Sequence, residues 1–499
     1  MKTMITASML YNLIQCPHRV SMDLFEDPAL RDPENPFVQL LWERGNAFEK
    51  EVMEGLDVPV TDLHAFHGAE KECRTLEALA RGDELIYSGR VRSGDLVGEP
   101  DILRREGKGY AAGDIKSGAG EEGGNGNDQG RPKKHYAVQL ALYTDIVERL
   151  GLSTGRRPFV WDVRGREVVY DLDAPQGVRS PGSLWDEYLW ALERARAVVR
   201  RTERTLPAYG SVCKLCHWYT ACLRRLKDAD DLTLIPELGR TKRDGMTGYF
   251  RTIHELARTD PETLIRGNKT VIPGVGPDML RKLRKRALLQ TERGARPYLK
   301  EPVRLPVSDR EIFFDIETDP MRDICYLHGF IERRGRDSRT ERYVAFLAGE
   351  PTDREEEKAF AGAWAYIREC QPCAIYYYSS YERTIWRRLQ KKYPSVMTGE
   401  ELDRLFDQET TVDLYHHVVR PKTEWPTRDF SIKTLASYLG FSWRDSNPSG
   451  AASIEWYHRW TESGDPDIRQ RILDYNEDDC IAMRVLLEGI EKLPLRKQG

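Results

Sequence analysis

The run GEPDILRREGKGYAAGDIKSG, residues 98–118, constrains the fold more tightly than any other part of this chain. Two strand-like stretches flank Glu106-Gly107-Lys108-Gly109, and Gly107 can take the positive φ that a two-residue hairpin turn of the Gly-X type needs. A turn centred on Gly107 and Lys108 fixes the register, and that register sets Asp101 opposite Asp114. Two facing carboxylates suit a divalent cation bound through oxygen. Lys116 shares a strand face with Asp114, where an ammonium can orient a water beside a phosphate and help deprotonate it. Downstream, the helical pattern HYAVQLALYTDIVERL places Gln139 and Tyr143 at i and i+4, on one side of the helix.

A second acidic constellation lies far along the chain. FFDIETD sets Asp315 and Glu317 at i and i+2 of a strand, hence on one face. LDYNEDDCIAM sets Tyr475 and Asp479 at i and i+4 of a helix. Three carboxylates and a phenol suit two-metal hydrolysis, in which magnesium or manganese activates a water and the phenol orients it.

The nine cysteines are too sparse for a disulfide scaffold. Cys213, Cys216 and Cys222 form C-x2-C-x5-C, a thiolate spacing that implies zinc or an iron-sulfur cluster, with Cys16 the natural candidate for a fourth ligand and buried unliganded cysteines the alternative. Cys73, Cys325, Cys370, Cys373 and Cys480 read as structural. No run reaches the roughly 18 apolar residues of a membrane span, and MKTMITASMLYNLIQC is too polar for a signal-peptide core, so a cytoplasmic setting without membrane contact is expected.

The chain has 499 residues, which at roughly 150 per domain predicts about three domains. The boundaries read as 1–230, 231–300 and 301–499. The segment GAGEEGGNGNDQGRPKK, rich in Gly and charge, is expected to be a mobile loop, and ARPYLKEPVRLPVSD a Pro-punctuated extended linker. A net charge of −4 gives no hint of a nucleic-acid partner, yet between Glu262 and Lys300 ten basic residues face three acidic ones. That local excess coincides with VIPGVGPDMLRKLRKRALL, expected as a short helix, a Gly-rich turn and a basic second helix. Gly274 and Gly276 let backbone N–H groups approach a phosphate; Arg281, Lys282, Arg284, Lys285 and Arg286 add cationic contacts. LIPELGR, followed by TIHELA, reads as a degenerate first copy.

The ordered set GEPD, GDIK and QLALY resembles the PD-(D/E)XK nucleases of the RecB type. Upstream, RGNAFE resembles that family's first element, with Glu49 standing where a metal-binding histidine is usual. The resemblance implies Asp101, Asp114 and Glu49 as metal ligands and Lys116, Gln139 and Tyr143 as catalytic. RecB-like nucleases of the AddB and CRISPR Cas-four kind carry one cysteine ahead of these motifs and three behind, which implies a four-iron four-sulfur cluster on Cys16, Cys213, Cys216 and Cys222, with zinc as the alternative. VIPGVGP resembles a helix-hairpin-helix motif. FFDIET with LDYNEDD resembles the ribonuclease-H-like 3′→5′ exonucleases of the DEDD class, and DFSIKTLASYLGFSW resembles their YprB-type branch. In the middle motif Glu382 stands where Asp is usual and Tyr378 where Asn is usual, with Asp413 as a substitute acid.

The whole resembles a family of bacterial RecB-like nucleases. It implies an α/β multidomain protein: a restriction-endonuclease-type α/β core, a helical helix-hairpin-helix region and a ribonuclease-H-like α/β domain. The expected activity is metal-dependent cleavage of DNA, single-stranded or end-containing, by an exonuclease serving repair, recombination or defence, with a helicase as a candidate partner. The competing readings are an RNA 3′→5′ exonuclease and a nucleic-acid-binding scaffold whose C-terminal domain is inactive.

Overall fold

The computed structural model describes residues 3–122, 130–177, 180–446 and 448–496. The chain divides into two compact units, Met1–Pro207 with Ser211–Cys222, and Ala208–Gly210 with Leu223–Gly499. Both mix helices with sheets. Among the described residues no helix is long and apolar enough to cross a membrane.

The first unit is built on a six-stranded mixed sheet. Its order is Glu167–Val169, Phe159–Asp162, Gly109–Lys116, Ile102–Glu106, Leu85–Tyr87 and Val60–Asp62. The hairpin forms with the expected register: Ile102 pairs with Gly113 and Glu106 with Gly109, around Gly107 at φ +63°. Gly109–Lys116 is buried along nearly its whole length, as befits a strand covered on both faces. Gly113 permits this, because a Cβ there would lie 2.4 Å from the Phe159 ring. The helix Lys134–Arg149 buries ten of its sixteen residues and joins the helices Ala7–Gln15 and Leu184–Val199 in one apolar core with Leu103, Ala112 and Val160 from the sheet. At the rims of the expected mobile loop, Glu121–Glu122 pairs antiparallel with Arg131–Pro132; residues 123–129 lie outside the described residues.

The second unit holds a five-stranded sheet in the order Asp337–Leu347, Ile324–Arg334, Arg310–Asp319, Ala374–Tyr377, Thr411–Asp413. The first three strands are antiparallel and the last two run parallel to the central one. Alternation along Arg310–Asp319 sorts its side chains: Ile312, Phe314 and Ile316 pack with Phe360, Ile367 and Trp386 on one side. Phe313 packs on the other, among Leu435, Met483 and Leu486. Asp315 and Glu317 share the parity of Phe313 and so face the C-terminal helix Pro466–Glu491.

Residues 231–300, expected as a separate domain, belong to this same compact unit. They keep a hydrophobic cluster of their own, including Leu232, Ile253, Leu280 and Leu283. A buried ion pair ties them to the sheet domain: Arg286 Nε lies 2.9 Å from Glu424 Oε2. The linker that begins at Ala295 is also docked, since Tyr298–Leu299 pairs with Thr423–Glu424. The two similar turns correspond in detail. Leu238 N–H donates to Ile235 O at 3.1 Å and Val275 N–H to Ile272 O at 3.3 Å. Glu237 and Gly274 both take positive φ, and Gly239 and Gly276 both precede a helix. One expectation fails: a two-stranded hairpin, Ile265–Arg266 with Lys269–Thr270, stands ahead of the second turn where a short helix was read.

Candidate active sites

The C-terminal helix brings Asp479 to the face of the central strand that carries Asp315 and Glu317, and the three offer ligand oxygens within 4.8 Å of one another. Each acid is held by a specific donor. Asn476 Nδ2 donates to Asp315 Oδ2 at 2.7 Å, Ser453 hydrogen-bonds Glu317, and Trp443 Nε1 donates to Asp479 Oδ1 at 2.7 Å. Lys433 Nζ donates to the Tyr475 hydroxyl at 2.8 Å and lies 3.9 Å from Asp479 Oδ1. Tyr475 in turn hydrogen-bonds Asp479.

Burial pushes all three carboxyls above the usual carboxylate range, and for Asp315 and Glu317 the neighbouring acids push in the same direction. For Asp479 the ammonium of Lys433 works against burial. Such a cluster of mutually repelling oxygens gains from a hard dication. Glu382, at the start of the helix Tyr381–Lys392, is 3% exposed. Burial and the charge of Asp315 raise its carboxyl, and its Oε2 has no hydrogen-bond partner. It stands beside the group of three without joining it at 4.8 Å.

Residues 312–490 match a family model described as the RNase H superfamily. The second unit carries an RNase H-like domain. Domains of this kind are nuclease-type and use magnesium or manganese, and the acidic cluster lies within the matched residues of this RNase H-like domain. No curated protein is matched by the chain.

Two middle-motif candidates in the RNase H-like domain hydrogen-bond the backbone. Asp413 Oδ1 accepts the backbone N–H of Ser379 at 3.1 Å and of His416 at 2.9 Å, which holds two turns. The Tyr378 hydroxyl donates to Phe430 O. Lys433, Asn476, Trp443 and Ser453 were not singled out from sequence. The signal that could have found Asn476 is its place one residue after Tyr475 on a helix that also presents Asp479. Lys433 carried none, lying 42 residues from Tyr475.

In the first unit, Lys116 Nζ lies 2.8 Å from Asp114 Oδ2 and 3.7 Å from Asp101 Oδ2. Asp101 Oδ2 also accepts the Ile115 N–H at 2.8 Å. Burial, then Asp114, pushes the Asp101 carboxyl up to about 8, against the pull of Lys116. Glu49, from the helix Pro36–Glu54, hydrogen-bonds Tyr87 and adds its charge to Asp101. Tyr143 is buried beside Asp114, Asp101 and Glu99, and Gln139 is half-buried one turn earlier. Gly98 of GEPD makes room for that tyrosine, since a Cβ there would lie 2.6 Å from its ring. Among the described residues, the acids here do not form a group of three within 4.8 Å; the ammonium stands among them.

Cys16 sits where the helix Ala7–Gln15 gives way to Pro17–Phe25. Cys213 lies in the turn Ser211–Leu215, and the Cys216 N–H donates to Cys213 O at 3.1 Å. Cys216 and Cys222 pack against Met22, Trp218 and Ala221. Asp23 accepts from His217 at 2.7 Å and from Trp218 at 2.9 Å, so the helix that opens at Cys16 lies against the three-cysteine segment. Cys325, Cys370, Cys373 and Cys480 are core residues and Cys73 is exposed.

The basic helix Pro277–Thr291 is engaged within its own unit. Arg286, expected at a phosphate, is 1% exposed; it holds Glu424 and Glu237. Lys282 pairs with Glu237 at 2.6 Å, Arg281 with Glu262 at 2.7 Å, and Arg284 Nε donates to Thr259 O at 2.9 Å. Lys285 is exposed. At Gly274 and Gly276 an added Cβ would meet nothing within 4 Å, so the second turn presents its backbone to open space.

Proposed function

We propose that this protein is a metal-dependent nuclease that hydrolyses phosphodiester bonds of DNA single strands or ends at two sites. The observation that carries the reading is the close approach of Asp315, Glu317 and Asp479 in a domain matching the RNase H superfamily. At that site these acids would hold magnesium or manganese, with Glu382 alongside; the unpartnered Glu382 Oε2 and the buried, mutually repelling carboxylates fit a hard dication. The ions, when bound, lower the pKa of a coordinated water and stabilise charge on the departing oxygen. Tyr475 orients the attacking water, and Lys433 fixes the phenol by donating to its oxygen, which leaves the phenolic proton directed at Asp479.

At the other site Asp101, Asp114 and Glu49 would hold a cation, and Lys116, released from its two carboxylates, would orient the water. Asp114 Oδ1 is buried without a hydrogen-bond partner, which fits a role as a cation ligand. Gln139 and Tyr143 line the same place. Four half-buried cysteine sulfurs at the two ends of the first unit are a donor set for a four-iron four-sulfur cluster, with a stapling role. Gly274, Gly276 and Lys285 would contact backbone phosphate.

Digestion of end-labelled DNA single strands in magnesium or manganese tests the reading. Asp315→Asn and Lys116→Ala should each remove one component of cleavage, and the double variant should remove all of it. Wild-type activity in the double variant would overturn the assignment. A marked preference for matched RNA would move the substrate class to RNA.

A further inference from the structure

A cleft of about 680 Å³ in the second unit lies between the helical repeats and the RNase H-like domain, lined by Lys227, His254, Gln290, Arg428, Lys433 and Tyr438 among others. Its volume falls in the range of roughly 300–1,000 Å³ typical of ligand sites. Lys433 belongs to both places: it lines this cleft and also lies 2.8 Å from the Tyr475 hydroxyl. The cleft is thus linked to the three-carboxylate cluster through this one side chain, whose Nζ lies 3.9 Å from Asp479 Oδ1.

Its lining is cationic. Lys227, Arg428 and Lys433 line it with a single lining acid, Asp230, which is paired with His254 at 2.7 Å, while Arg428 also lies 3.5 Å from Asp429. Tyr438, at the end of the helix Ile432–Tyr438, is 43% exposed, and its ring is backed edge-on by the buried Trp425 at 5.9 Å. A positive groove with an exposed, braced aromatic is the combination that binds single strands: cations track the phosphates and the ring stacks on a base of any identity. The walls are fixed to each other, because Gln290 Nε2 donates to Leu234 O at 3.1 Å and to Thr427 O at 2.8 Å. A groove so held costs little ordering when a strand enters.

We infer that this cleft holds the uncleaved stretch of a nucleic-acid single strand whose end lies at Asp315, Glu317 and Asp479, with Tyr438 stacking on a base and Lys227 and Arg428 on phosphates. The inference rests on reading that cluster as a phosphodiester-cleaving site. The test uses the full chain with Lys116→Ala, so that one site is read, and compares kcat/KM on a long oligothymidylate with that on a dinucleotide. The long substrate should be favoured, and Tyr438→Ala and Lys227→Glu should each shrink that preference about tenfold, in line with the loss of one stacked base or phosphate contact. An unchanged ratio overturns the inference. So does displacement of the oligonucleotide by poly-glutamate as effectively as by a second oligonucleotide, which would assign the cleft to an acidic protein segment. If the parent cleaves neither substrate, the catalytic reading fails on its own. Cross-linking of a thiothymidine-substituted strand then decides the cleft: adducts on the Tyr438 peptide uphold it, and their absence there overturns it.

Discussion

Asn476 illustrates how one side chain sets the geometry of a cluster. Its amide nitrogen donates to Asp315 while its oxygen accepts from the Tyr343 hydroxyl at 2.8 Å, so the amide cannot flip without losing both bonds. Gly329, the cross-strand partner of Asp315, is what admits it: a Cβ there would fall 1.5 Å from Asn476 Oδ1. Gly329→Ala should therefore displace Asn476, weaken manganese binding by roughly 10- to 100-fold, as loss of a ligand-orienting partner does, and lower stability by about 1–3 kcal/mol. Asn476→Ala should reproduce the binding loss with less destabilisation. Manganese titration and thermal melting of both variants check this. None of these links is legible in the sequence, because Gly329, Tyr343 and Asn476 belong to three elements that only the sheet and the C-terminal helix bring together.

At the scale of elements, the first copy of the repeated turn differs from the second in one telling residue. Where the second has Gly274, the first has Glu237, also at positive φ, and its carboxylate gathers Lys282, Arg286 and Arg420. Burial opposes its ionisation, yet these cations hold the carboxyl down at about 2. Since the unfolded value is near 4.3, the stabilisation is in place above that pH and is lost as pH falls toward 2, a contribution on the order of 3 kcal/mol. Glu237→Gln should be less stable at neutral pH and should lose the part of the acid sensitivity lying between about pH 5 and 2, as followed by denaturant melts across that window. The hairpin at Gly107 is the opposite case. A two-residue turn leaves one register, so the pairing of Ile102 with Gly113, which brings Asp101 beside Asp114, is readable from the sequence. The hairpin at residues 265–270 was not, because its strands are two residues each and carry no alternation to read.

At the scale of the whole molecule, the chain divides into two compact units, and residues 231–300 lie within the second. Buried charges join residues 231–300 to the sheet domain there: Arg286, read as a surface cation of a basic helix, is held by Glu424 and Glu237. Breaking such a pair from one side leaves a buried charge unmatched, which costs about 3–5 kcal/mol. Glu424→Ala should lower the melting temperature of the second unit markedly while leaving the first unit's transition in place. For the first unit, the proposed staple predicts that anaerobic preparations absorb broadly in the visible and that Cys213→Ser loses both colour and resistance to proteolysis. Colourless protein of undiminished stability would remove the cluster from the reading.

The sequence by itself determined what depends on short range. These are the hairpin register, the shared face of Asp315 and Glu317, the shared side of Tyr475 and Asp479, and the likeness of the two Pro-containing turns, all consequences of fixed strand and helix periods. Tertiary structure alone decided which charges are buried and which acids meet. Lys433, Asn476 and Trp443 enter the cluster, Asp413 accepts two backbone N–H groups, and most of the basic helix is tied to its own neighbours. A side chain's partners across the fold depend on packing between elements far apart in the chain, and no local period encodes that.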